Sequence, residues 1–94
     1  MKIPSVLRIG GHTIKVFLRE IEDDSTVAEY KIHEGTITID KRLPQSQQEV
    51  ALIHEIFHVL NSQFDEDKHY EWHVILESLS QQFYQVLKDN KLLK

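Results

Sequence analysis

The residues best placed to do chemistry are His54, Glu55 and His58, which form the run His54-Glu55-Ile56-Phe57-His58. On an α-helix, residues four apart lie one turn apart on the same face, so both imidazoles can reach one ion. Glu55 points off to the side, where it can hold a metal-bound water without ligating the metal. Zinc lowers the pKa of such a water to about 7, and the glutamate takes its proton. The chain has no cysteine, which excludes disulfides and thiolate zinc sites and leaves imidazoles and carboxylates as ligands. Chance alone would give this pattern in roughly a few per cent of chains with the same His and Glu content. The bland alternative is a hydrogen-bonded core cluster. Against it stands the setting, because three ionisable groups interrupt an apolar run, and burying them without a partner is costly.

Zinc sites with two histidines on one helix take a third protein ligand and keep one position for water. The second helical pattern offers Glu71 and Glu77 as carboxylates and His69 and His73 as imidazoles. Glu77 lies on the flank of that helix's apolar stripe, with Ser80, Gln81 and Tyr84 near the same edge, and is the favoured ligand. His73, one turn earlier, is its chief competitor. Glu71 lies nearly opposite the stripe and reads as solvated. His12 and His33 sit beside turns and read as surface residues, and His69 reads as incidental.

The elements that must position this group divide into a strand half and a helix half, giving an α+β domain over residues 1–94. Val6 to Ile9 and His12 to Arg19 read as a hairpin joined at Gly10-Gly11, where two glycines supply the positive φ of a tight turn. Ile14, Val16 and Leu18 alternate with Lys15, Phe17 and Arg19. Glu20 to Ser25 is acidic and reads as a loop. Glu29 to His33 and Thr36 to Asp40 read as a second hairpin turning at Glu34-Gly35. Leu43-Pro44 breaks the strand. Ser46 and Glu49 are spaced as a capping box for a helix running to Asn61. The middle of that helix is apolar nearly all round, which predicts burial. A second helix is expected from Asp67 to Lys88, with Trp72, Ile75, Leu76, Leu79, Phe83, Val86 and Leu87 as its stripe.

Composition sets outer bounds. The chain has 94 residues, 40% hydrophobic and 28% charged, with a formal net charge of −4. These values suit one globular core, small enough for a metal or partner subunit to add useful stability. No Lys/Arg cluster provides the basic face that nucleic-acid binding needs. No stretch is long and apolar enough for a membrane span, and Met1 to Ser5 lacks the apolar run of a signal peptide. The expected location is the cytoplasm.

With these residues in view, the sequence resembles the gluzincin class of zinc metallopeptidases, and more narrowly the small HExxH proteins of phages and prophages related to the ImmA/IrrE group. The likeness runs from about Gly10 to Asn90. Its second element is Glu77-Ser78-Leu79-Ser80-Gln81-Gln82-Phe83-Tyr84, in which a glutamate is followed by a small residue, a polar one and an apolar pair. The resemblance implies a minimal zincin-like fold and one zinc per chain, held by His54, His58 and Glu77 with Glu55 as general base. It also implies an edge strand before the HExxH helix that pairs with extended substrate, here Thr36, Ile37, Thr38 and Ile39. Tyr84, His73, Gln81 and Tyr70 are candidates for an oxyanion or supporting role. The helix that fuller members pack on the back of the sheet is missing, which leaves that face exposed or covered by a partner and makes a homodimer a candidate.

Two functions of different class follow as expectations. One is a zinc peptidase acting on a protein or peptide. The other is a zinc-stabilised binding or regulatory module of phage or mobile-element origin, without turnover.

Overall fold

The computed structural model describes residues 2–62 and 72–92, the side chains of 72–77 excepted. It is an α+β fold with strands β1 (Val6–Ile9), β2 (His12–Arg19), β3 (Ala28–Lys31) and β4 (Thr36–Asp40), followed by helices α1 (Gln45–Ser62) and α2 (Trp72–Asp89). Both hairpins form, but in the second β3 runs Ala28–Lys31 and ends before the expected His33, because residues 32–35 are taken up by the turn. Gly10 and Gly11 take φ of 57° and 84° at the first turn, the paired positive values that two-residue hairpin turns require.

The strand order is β1-β2-β4-β3. β1 pairs antiparallel with β2, and β3 with β4, but β2 and β4 run parallel, with Lys15 opposite Thr36 and Arg19 opposite Asp40. The sheet is therefore mixed, and the expectation that Thr36, Ile37, Thr38 and Ile39 form an edge strand is corrected. β4 lies between two strands, so its backbone groups are committed on both sides. β3 is the edge.

The 20–27 loop makes this order possible, because β3 need not lie beside β2. Asp40 pins the loop. Its carboxylate accepts hydrogen bonds from the backbone N–H and the side chain of Arg42 and from the Ile21 N–H, and Arg42 Nη2 donates to the Ile21 carbonyl at 2.8 Å. The guanidinium contact holds the Asp40 carboxyl well below the usual carboxylate range.

One sheet face carries Leu7, Ile9, Ile14, Val16, Ile37 and Ile39 against Leu52, Ile56, Val59 and Leu60 of α1 and Val86 of α2. Leu18, expected in that row, sits at the strand end and is 43% exposed. The opposite face carries Arg8, Thr13, Lys15, Thr36, Thr38 and Glu29, with Arg19 lying 4.1 Å over the Phe17 ring. Among the described residues no helix covers that face, which is polar apart from Val6 and Phe17.

Helix α1 starts one residue earlier than the capping box predicts. The Pro44 carbonyl accepts from the N–H groups of Gln47 and Gln48, which places Ser46 inside the first turn. Gln48 is buried, and its Nε2 donates to the carbonyls of Lys41 and Leu43. The β4–α1 turn is thus closed from within the helix. α1 is not buried all round. Its core face is Ala51, Leu52, Glu55, Ile56, Val59 and Leu60, while Val50, Ile53, His54, Phe57 and His58 are exposed. The expected start of the second helix at Asp67 lies outside the described residues. Its end, at Asp89, is one residue beyond the expected Lys88.

That end is a Schellman turn. The Lys91 N–H donates to the Lys88 carbonyl and the Leu92 N–H to the Leu87 carbonyl, with Lys91 at φ 58°. The turn delivers Asn90 to the β1 edge, where its Oδ1 accepts from the Arg8 N–H at 2.8 Å and its Nδ2 donates to the Arg8 carbonyl at 3.1 Å. A lysine in the left-handed region carries a steric cost that glycine lacks. Lys91→Gly is therefore expected to raise stability by up to about 1 kcal/mol, read as a higher urea midpoint at unchanged slope.

Candidate metal centre

Alternation along α1 separates the three motif residues. Glu55 shares the core-facing side with Leu52, Ile56 and Val59 and is 5% exposed, whereas His54 and His58 lie on the outer side. The helix thus holds a carboxylate at the edge of an apolar core and two imidazoles at its rim. The Nε2 atoms of His54 and His58 are 2.9 Å apart, with ring centroids 4.6 Å apart. Two imidazole nitrogens on one tetrahedral zinc stand about 3.3 Å apart, given Zn–N bonds of about 2.05 Å. The pair is therefore already close to the spacing an ion would set. One ligand atom from each of His54, Glu55 and His58 lies within 4.8 Å of the others, so the group can hold a metal ion.

Burial pushes the Glu55 carboxyl up, the His58 and His54 rings pull it down, and Glu29 on β3 adds to the rise. The carboxylate therefore sits where desolvation makes it more basic while neighbouring imidazoles favour its charged form.

An open cleft runs along the seam between α1 and the β3 edge. On one side of Glu55 a cavity of about 450 Å³ is lined by Ser25, Thr26, Val27, Ala28, Leu43, Val50 and His54, among others. On the other, about 440 Å³ is lined by Ala28, Glu29, Tyr30, Ile32, His58, Asn61 and Ser62. Glu55 borders both. His12, expected at the surface, is exposed and borders a further cavity beyond Tyr30 and Ile32.

Among the described residues no strand pairs with the outer side of β3, which faces this cleft. The Asp40 N–H donates to the Val27 carbonyl at 2.8 Å, and Val27 is one residue before the register pair Ala28 and Ile39. Bonding alternates along an antiparallel ladder. Glu29 and Lys31 thus turn their backbone groups toward β4, while Ala28 and Tyr30 turn theirs outward. Nothing in the sequence singled out Ala28 and Tyr30. Their place became visible only with the strand order.

Of the other expected site residues, Gln81 and Tyr84 are exposed on α2, and neither borders the two cavities at Glu55. Glu77 and His73 lie on α2, but their side chains fall outside the described residues, as do Tyr70, Glu71 and His69 altogether. Among the described residues, no helix is long and apolar enough to cross a membrane. Compared with known proteins, the chain matches no family model, no curated protein and no solved structure.

If the histidine pair is the metal centre, zinc in excess should raise the melting temperature by on the order of 10 °C, the effect of about 3 kcal/mol of linked binding on a domain this size. His58→Ala should abolish that rise and, because the ring is exposed, change metal-free stability by no more than about 0.5 kcal/mol. Differential scanning calorimetry with and without zinc reads both. A rise that survives the substitution would put the ion elsewhere.

Proposed function

We propose that this protein is a zinc-dependent peptidase of gluzincin type. The observation that carries the reading is a nearly buried carboxylate, Glu55, beside two converged imidazoles, in a cleft bordered by an unpaired strand edge. His54 and His58 would hold the ion, with Glu77 of α2 as the proposed third ligand and His73 as the alternative. Imidazole and carboxylate donors suit zinc, and an open cleft suits a site that keeps a position for substrate. When bound, zinc supplies Lewis acidity to a peptide carbonyl and acidifies water.

The remaining steps belong to the chain. Ala28 and Tyr30 present outward N–H and carbonyl groups two residues apart, about 6.8 Å along the strand. An extended peptide would add to the sheet there as a fifth strand, its backbone held across Glu55. This assigns substrate alignment to β3 in place of β4. Glu55 takes the proton from the attacking water and passes it to the leaving amine nitrogen as the peptide bond breaks. Its raised proton affinity suits both transfers. The apolar wall below the carboxylate shields that side of it from water.

The open β3 edge also favours a second reading, capture of a peptide without turnover, with zinc serving stability. Glu55→Gln separates the two. For a peptidase, the substitution should lower the rate on a quenched-fluorescence peptide library by about 10²–10⁴-fold, with zinc content and melting temperature retained. Wild-type protein that binds zinc and library peptides yet cleaves none would establish the binding module instead.

A further inference from the structure

The two edges of the sheet are treated differently. At β1, the outward groups of Arg8 are taken by Asn90, and Gln85 adds a bond from its Nε2 to the Arg8 carbonyl and accepts the Gly10 N–H at its Oε1. α2 thus supplies side-chain amides where another strand would otherwise pair. β3 has no such cover among the described residues. Val27 and Ile32, which flank it, are 50% and 55% exposed, so apolar surface adjoins the free backbone groups. Proteins commonly blunt such edges, because an open edge invites pairing with another chain.

We propose that β3 is a self-pairing edge, joining two copies of this chain antiparallel about a twofold axis at Tyr30. A twofold axis in strand pairing places residue i of one copy opposite residue j of the other and the reverse. Bonding parity allows only the outward residues Ala28 and Tyr30 to exchange backbone bonds, which leaves three registers. Ala28 opposite Ala28 sets Glu29 against Val27 and leaves neither Glu29 nor Lys31 a charged partner. Ala28 opposite Tyr30 sets Glu29 against Glu29, and like charges directly opposite destabilise a ladder. Tyr30 opposite Tyr30 sets each Glu29 against the Lys31 of the other copy. Glu29 and Lys31 already share one sheet face, with Lys31 Nζ 3.9 Å from Glu29 Oε1. Only this third register satisfies backbone parity and charge together, with Ala28 facing Ile32 in the turn that follows the strand.

The helices fit the same axis. α1 packs beneath both β3 and β4. With strands about 4.8 Å apart, two α1 helices so related stand about 10 Å apart, the spacing of packed helices. The faces bearing Val50, His54 and His58 then meet across the axis, and the cleft closes. A peptide and a second copy compete for the same two residues, so the pair is an inactive store of whatever the open edge binds. The self-pairing rests on edge chemistry alone and not on the peptidase reading, so each can fail without the other.

The contact is short, and short edges give weak pairs. Dissociation in the range of about 10–100 µM is expected. Sedimentation equilibrium of the full chain, metal-free, between about 10 µM and 1 mM tests it. Wild type should approach dimer mass at the upper end. Glu29→Lys and Lys31→Glu should each weaken association at least about tenfold, since each substitution makes both cross-strand pairs repulsive. An equimolar mixture of the two variants should recover dimer, and so should the chain carrying both substitutions. Those last two outcomes guard against a variant that merely unfolds, which circular dichroism checks directly. Wild type that stays monomeric to about 1 mM, or a dimer indifferent to these charges, overturns the proposal.

Discussion

The parallel pairing of β2 with β4 is the constraint from which the rest of the structure follows. Two hairpins in sequence could have been laid down as a simple meander, with β3 beside β2 and β4 at the edge. The 20–27 loop instead carries the chain past the place of β4, and β4 returns into the gap. Asp40 fixes that return. It ends β4, takes the Arg42 guanidinium and the Ile21 N–H, and so ties the start of the loop to the strand it brackets. Because the Asp40 carboxyl is held well below the usual carboxylate range, its contribution persists above the unfolded-state pKa. It fades as pH falls from the unfolded-state pKa and is gone once pH passes below the lowered folded-state value. The tie therefore survives mild acid that would protonate an ordinary aspartate. With β4 inside, β3 is left at the edge above α1, and the site gains its second wall.

Within that frame, the position of Glu55 on α1 decides what the site can do. A carboxylate one position further round the helix would be solvated and weakly basic. One position the other way would lie among Leu52, Ile56 and Val59 with no imidazole in reach. At 5% exposure it has lost most of its water yet keeps His54 and His58 as neighbours. Desolvation raises its proton affinity, and the two imidazoles oppose that rise. The two histidines take the opposite environment, on the exposed side, where the proposed ion and substrate would reach them. The 3.6-residue period supplies both in one turn, which is the physical content of the H-E-x-x-H spacing.

The parts of this arrangement legible in sequence are those governed by local rules. The hairpin at Gly10-Gly11, β2 and β4 with their bounds, and the helix bearing the histidines all follow from turn chemistry and periodicity. The parts that were not legible depend on which element lies next to which. An apolar middle read α1 as buried all round, but Val50 and Phe57 lie on its outer side. Period analysis cannot tell a buried apolar face from one that borders a cleft. The edge assignment failed for the same reason. Thr36 to Ile39 has the alternation of a half-buried strand wherever it sits in the sheet, and only strand order decides whether its backbone is free. Gln48 and Asn90 carried no signal, because a polar side chain that satisfies main-chain groups far away in sequence looks like any surface amide.

The contrast between the two sheet edges argues that the open one is a feature and not an oversight. The fold has the means to close an edge without adding a strand, and uses them at β1. There a left-handed residue, Lys91, is tolerated so that the Schellman turn can aim Asn90 at Arg8. Strand edges are commonly blunted by a proline, a bulge or an inward-pointing charge. Instead β3 keeps Ala28 and Tyr30, small and flat residues that leave their backbone accessible, and places its charges, Glu29 and Lys31, on the far face. The edge remains receptive while the charges govern what it will receive. An extended chain of any sequence can use the backbone bonds, but only a partner with complementary charges in register gains on the outer face as well. On the peptidase and self-pairing proposals, specificity at this edge would be divided between the two faces of the sheet, with Glu55 on one side and the charges of Glu29 and Lys31 on the other.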